Sequence, residues 1–89
     1  MSNTKTGPKV RNSADLQGLV TSTILRQSIP FSAEDIIVLV NKNLSGSTYQ
    51  SSLEVEDCVR RTISLFCIED ILKYLGDKEY VVSAAFPAI

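Results

Sequence analysis

Histidine and tryptophan are absent from this chain of 89 residues, and cysteine, proline and glycine are sparse, at two, three and four. Without histidine the commonest general base and metal ligand is missing, which excludes histidine-based hydrolytic triads. Cys58 and Cys67 are too few for the disulfide framework of a small secreted domain. On one helix they stand about 13 Å apart along the axis and point to opposite sides, beyond disulfide reach and unable to share a zinc ion. Both read as small buried hydrophobes of a reduced, cytoplasmic protein, and no secretory signal pattern opens the chain. Gly7, Gly18, Gly46 and Gly76 are too scattered to cradle a phosphate. The acid pairs Glu34/Asp35, Glu56/Asp57 and Glu69/Asp70 are sequence neighbours, which do not face each other on a helix and make poor acid/base partners. The expectation is therefore no enzymatic activity, no cofactor, no metal and no small-molecule ligand. The longest apolar run, Ile36 to Val40, has five residues, far short of the roughly 20 that span a membrane, so no membrane contact is expected.

What is present is 44% hydrophobic and 21% charged side chains with a formal net charge of −1, the composition of one small soluble domain. A chain this short buries only about 60 to 65% of its unfolded surface, so a protein partner or a homodimer covering apolar area is expected. Charge is unevenly spread. Met1 to Arg11 carries Lys5, Lys9 and Arg11 with no acid and reads as a disordered basic tail, while residues 12–89 hold six basic and ten acidic side chains. The tail is either a phosphate-touching arm or a solubilising terminus. No internal repeat is present.

Helical periodicity appears three times. After a cap at Asn12 or Ser13, Leu16, Leu19, Val20, Ile24 and Leu25 follow one buried face, with Gln17, Thr21 and Arg26 on the wet side, and Pro30 predicts an end near Ser28. Ser32 with Asp35 is a cap pattern, and Phe31 is placed to staple onto Ile36. The β-branched run Ile36-Ile37-Val38-Leu39-Val40 favours a strand, but the cap predicts a helix to Leu44, apolar around most of its circumference. Ser51 with Glu54 suggests a capping box for a third helix, whose stripe is Val55, Cys58, Val59, Thr62, Ile63 and Phe66. Glu56 with Arg60 and Asp57 with Arg61 are spaced as favourable ion pairs on its wet face. The period then changes. Ile71 to Leu75 and Glu79 to Ser83 read as strands, with Gly76-Asp77 suited to a type II′ turn. Ala84 to Ile89 is apolar and uncharged, and either folds back or docks on another chain.

The expected fold is a small α+β domain over residues 12–89, a three-helix bundle followed by a C-terminal two-stranded β-hairpin, the order of a winged helix. The stretch Val59-Arg60-Arg61-Thr62-Ile63-Ser64-Leu65-Phe66, followed by Lys73, Gly76, Lys78, Tyr80 and Val81, resembles the recognition helix and wing of GntR-type winged-helix regulators. That resemblance implies DNA contacts from Arg60 and Arg61, with Lys73 and Lys78 on the wing as auxiliaries. The first turn departs from the family pattern by placing Glu54, Glu56 and Asp57 where side chains approach phosphates. Like charges about 6 Å apart repel by roughly 0.7 kcal/mol even in water, so these acids oppose several basic contacts.

Two readings follow. In the first, the chain is a regulatory or protein-interaction module using Glu56 and Asp57 on the third helix and an apolar patch of Tyr80, Val82, Phe86 and Ile89. In the second, it is a DNA-binding transcriptional regulator using Arg60, Arg61, Lys73 and Lys78. The competing uses of these basic residues are ordinary surface ion pairs for the arginines and edge-strand protection for the lysines.

Overall fold

The computed structural model describes residues 10–83, arranged as α1 (Ser13–Leu25), α2 (Ala33–Asn43), α3 (Leu53–Ile68), β1 (Leu72–Gly76) and β2 (Glu79–Val82). Three helices precede an antiparallel two-stranded sheet, the expected α+β architecture and an order consistent with winged-helix topology.

Local chemistry explains the start of each helix. The Asn12 side chain accepts the Asp15 amide at 2.9 Å and opens α1. Just before it, Val10 packs half-buried against the core and the Arg11 amide donates to Asp15 at 3.0 Å. The end of α1 comes at Leu25, earlier than Pro30 alone dictates, because the Gln27 amide bonds the Ile24 carbonyl and tightens the last turn. For α2 the capping box is complete: the Ser32 hydroxyl accepts the Asp35 amide, and the Asp35 carboxylate accepts the Ser32 amide. Capping therefore overrides the strand propensity of the β-branched run. That helix buries Ala33, Ile36 and Val40 but leaves Val38 58% exposed, so it is less enclosed than its composition suggests.

The third helix begins one residue later than the Ser51/Glu54 pattern indicates. Ser51 sits at φ 60, in the left-handed region, and donates its amide to the Asn41 side chain at 2.7 Å. It cannot adopt the extended backbone a cap needs, so Ser52 takes that place. Three residues on from Ser52 stands Val55, which has no carboxylate to return the bond, and the Ser52 hydroxyl is left buried without a hydrogen-bond partner among the described residues.

The core is one cluster. It draws Leu16, Leu19, Val20 and Ile24 from α1, Ile36 and Val40 from α2, and Val55, Cys58, Val59 and Ile63 from α3. Phe31, Leu44 and Leu72 close it from the connecting segments and the sheet. Phe31 has a second role absent from the sequence reading, because its amide and carbonyl both bond Tyr80, at 2.9 and 2.7 Å. This bridge gives β2 a neighbour on each side, β1 and Phe31. The turn also differs from expectation. Gly76 pairs with Glu79, so Asp77 and Lys78 are the two central residues, with φ 53 and 64. Two positive values in a two-residue loop are the type I′ pattern rather than II′, matching the right-handed twist of the strands. The register slips between Tyr74 and Gly76, leaving Leu75 bulged.

Candidate interaction face on α3 and the hairpin

Burial of Val55, Cys58, Val59, Thr62 and Ile63 fixes how α3 is rotated and leaves Glu54, Glu56, Asp57, Arg60, Arg61 and Ser64 exposed. Neither i, i+4 ion pair expected on this face is formed among the described residues. Arg60 instead reaches across to α2 and donates to a Glu34 carboxylate oxygen at 3.2 Å. The Glu34 carboxyl is held below the ordinary glutamate range, first by a backbone N–H at the start of α2 and then by the Arg60 guanidinium. Arg60 is thus committed within the fold, whereas Arg61 is exposed at the rim of the open crevice between α3 and α1, which it borders with Glu54, Asp57 and Gln17. Gln17, on the wet side by periodicity, ties the two helices together. Its side-chain amide donates to the Thr62 hydroxyl at 2.9 Å, and its carbonyl oxygen accepts the Cys58 thiol at 3.6 Å.

The C-terminal half of the same helix is apolar on its outer side. Leu65 and Ile68 are 50% and 78% exposed. An open groove runs between this half of α3 and the hairpin, lined by Ser64, Cys67, Ile68, Tyr74, Lys78 and Tyr80. Because Tyr80 spends its amide and carbonyl on Phe31, Tyr74 and Tyr80 form a non-hydrogen-bonded cross-strand pair, the kind with the closer side chains. Their rings lie 5.3 Å apart, and the Tyr74 hydroxyl accepts the Lys78 amide at 3.2 Å. Burial pushes the Tyr80 phenol above its ordinary value.

The expected site residues therefore divide. Lys78 and Tyr80 meet the C-terminal half of α3 in one groove, and Lys73 is exposed on the edge strand beside it. Val82 packs half-buried against the core instead of joining an exposed patch. Glu56 and Asp57 stand exposed near the N-terminal end of α3, away from that groove. Phe86 and Ile89 lie outside the described residues. Leu65, Ile68 and Tyr74 were missed, although Leu65 and Ile68 carried a signal as apolar residues outside the buried stripe. Cys58 is buried as expected, but Cys67 is only half-buried, and desolvation raises both thiols.

Among the described residues no cluster of three histidine, cysteine, aspartate or glutamate side chains is placed to hold a metal ion. No helix among them is long and apolar enough to cross a membrane. Comparison with protein-family models, curated proteins and solved structures finds no match for this chain.

Proposed function

We propose that this protein is a winged-helix protein-interaction module without catalytic activity, working in the cytoplasm through the outer face of α3 and the hairpin. The observation that carries this reading is the division of that face. Its N-terminal half presents Glu54, Glu56 and Asp57, its Arg60 is spent on Glu34, and its C-terminal half is the apolar groove with Ile68 and Tyr74. A phosphate backbone laid on such a face meets three acids around Arg61 in one half and mostly hydrocarbon beside Lys78 in the other, whereas a protein surface can desolvate the apolar half and pair the charged half.

The alternative, a DNA-binding regulator of the GntR type, draws its support from Arg61, Lys73 and Lys78, which are exposed and have no ion-pair partner among the described residues. Titrating a labelled mixed-sequence duplex at about 50 mM salt separates the two. No retention is the expected result. Retention that falls steeply with added salt and vanishes in Arg61→Ala with Lys73→Ala would establish the DNA reading instead.

A further inference from the structure

Leu53, Asp57, Arg61 and Leu65 are spaced by four along α3, and all four are exposed. Residues at this spacing form one continuous ridge of a helix, each about 6 Å further along the axis than the last. The order is apolar, acid, base, apolar, and it is symmetric about Val59: Asp57 and Arg61 stand two residues to either side of it, Leu53 and Leu65 six. Leu53 is 76% exposed and Leu65 50%, so both ends of the ridge leave substantial hydrocarbon in water. Asp57 and Arg61 have the spacing and orientation of a favourable intrahelical pair, yet they make no ion pair with each other. Arg60, the neighbouring base, faces the other way and is held by Glu34.

We propose that this ridge is a self-complementary interface for a second copy of the chain, with the two α3 helices antiparallel about a two-fold axis that crosses the ridge midway between Asp57 and Arg61, level with the buried Val59 along the helix. This rests on the reading of the outer face of α3 as a protein-docking face and names its occupant. A two-fold contact places each residue against its mirror position along the ridge. Asp57 then meets Arg61 of the second copy, and Arg61 meets Asp57, giving two intermolecular ion pairs from charges that have no ion-pair partner among the described residues of one chain. Leu53 meets Leu65 at each end and encloses those pairs in apolar contacts. Glu54, five residues before Val59, falls opposite Ser64, five after it, and the small side chain there permits close approach. Ridges spaced by four interlock in the commonest class of helix packing, with axes crossing near −50°. A parallel arrangement fails the same test, because it sets acid against acid and base against base.

Charge reversal tests the symmetry directly. Sedimentation equilibrium of the full chain, up to about 0.5 mM protein and at low salt, is expected to show twice the chain mass of 9.8 kDa. Asp57→Arg alone and Arg61→Asp alone each place like charges across the axis, and each is expected to weaken dimerisation by about tenfold or more. Mixing the two single variants pairs a wholly basic ridge with a wholly acidic one, so a one-to-one heterodimer is expected, and the double variant is expected to dimerise again. Both positions are exposed, and circular dichroism checks that each variant keeps its helices. A wild type that stays monomeric throughout, a dimer indifferent to both reversals, or a mixture that fails to associate would each overturn the proposal. The duplex titration reads the underlying reading separately. A monomer that ignores DNA removes only this interface, whereas salt-sensitive DNA retention removes the docking reading itself.

Discussion

The Phe31 and Tyr80 backbones bond each other twice, and their rings lie 6.2 Å apart, so one residue pair fastens the hairpin to the start of α2. The Phe31 side chain is at the same time 2% exposed within the helical core. Its loss therefore opens a cavity and loosens the hairpin together. Phe31→Ala is expected to cost about 3 to 5 kcal/mol, a large share of the 5 to 15 kcal/mol typical of a whole domain. Urea unfolding followed by circular dichroism measures it. A loss under about 1.5 kcal/mol would mean that the ring is not a core element.

Two serines at helix starts have opposite roles. The Ser32 hydroxyl accepts the Asp35 amide in a reciprocal box, while the Ser52 hydroxyl is buried with no hydrogen-bond partner among the described residues. Ser32→Ala should cost about 1 kcal/mol. Ser52→Ala removes a desolvated polar group that returns nothing, so it should be neutral or stabilising. Parallel thermal melts of the two variants check the contrast, and equal losses would contradict it.

The order of elements could be read from the sequence because the buried faces of α1 and α3 follow an uninterrupted helical period and Ser32 with Asp35 announces α2. The finer features depended on partners distant in sequence. Ser51 looks like a cap until Asn41 takes its amide and the backbone turns left-handed. Phe31 reads as a staple because nothing local shows that it will pair with Tyr80, 49 positions on. Arg60 has an acid, Glu56, four residues away on its own helix, yet bonds Glu34 across the bundle, a choice set by the rotation of α3 and invisible to i, i+4 spacing. The apolar groove was missed for a related reason. It needs both the outer side of α3 and the Tyr74 face of the hairpin, and their meeting is a tertiary fact.

Gly18 lies in the interior of α1, exposed, and a Cβ built there would meet no atom within 4 Å. Its helical backbone does not require glycine, which costs about 1 kcal/mol against alanine in such a position. Gly18→Ala should therefore stabilise the chain by about that amount and raise the melting temperature by roughly 4 to 8 °C for a domain of this size. Calorimetry reads the shift. A fall in melting temperature would show that something approaches α1 at this point, and a fall confined to high protein concentration would identify a second copy as what approaches.

The Arg60 to Glu34 contact carries a pH signature. Glu34 is held below the ordinary glutamate range, chiefly by its backbone hydrogen bond and secondarily by Arg60. A carboxyl whose folded value is depressed adds stability above its unfolded value and loses that contribution as pH falls through the folded one. In Arg60→Ala the Glu34 titration midpoint, followed by side-chain carbon NMR, should rise part of the way toward the ordinary value, because the larger backbone contribution survives. The melting temperatures of wild type and Arg60→Ala should accordingly differ most at neutral pH and converge as the medium is acidified through the Glu34 midpoint. A midpoint that does not move on removing Arg60 would mean that the 3.2 Å contact is not maintained in solution and that Arg60 is free for another partner.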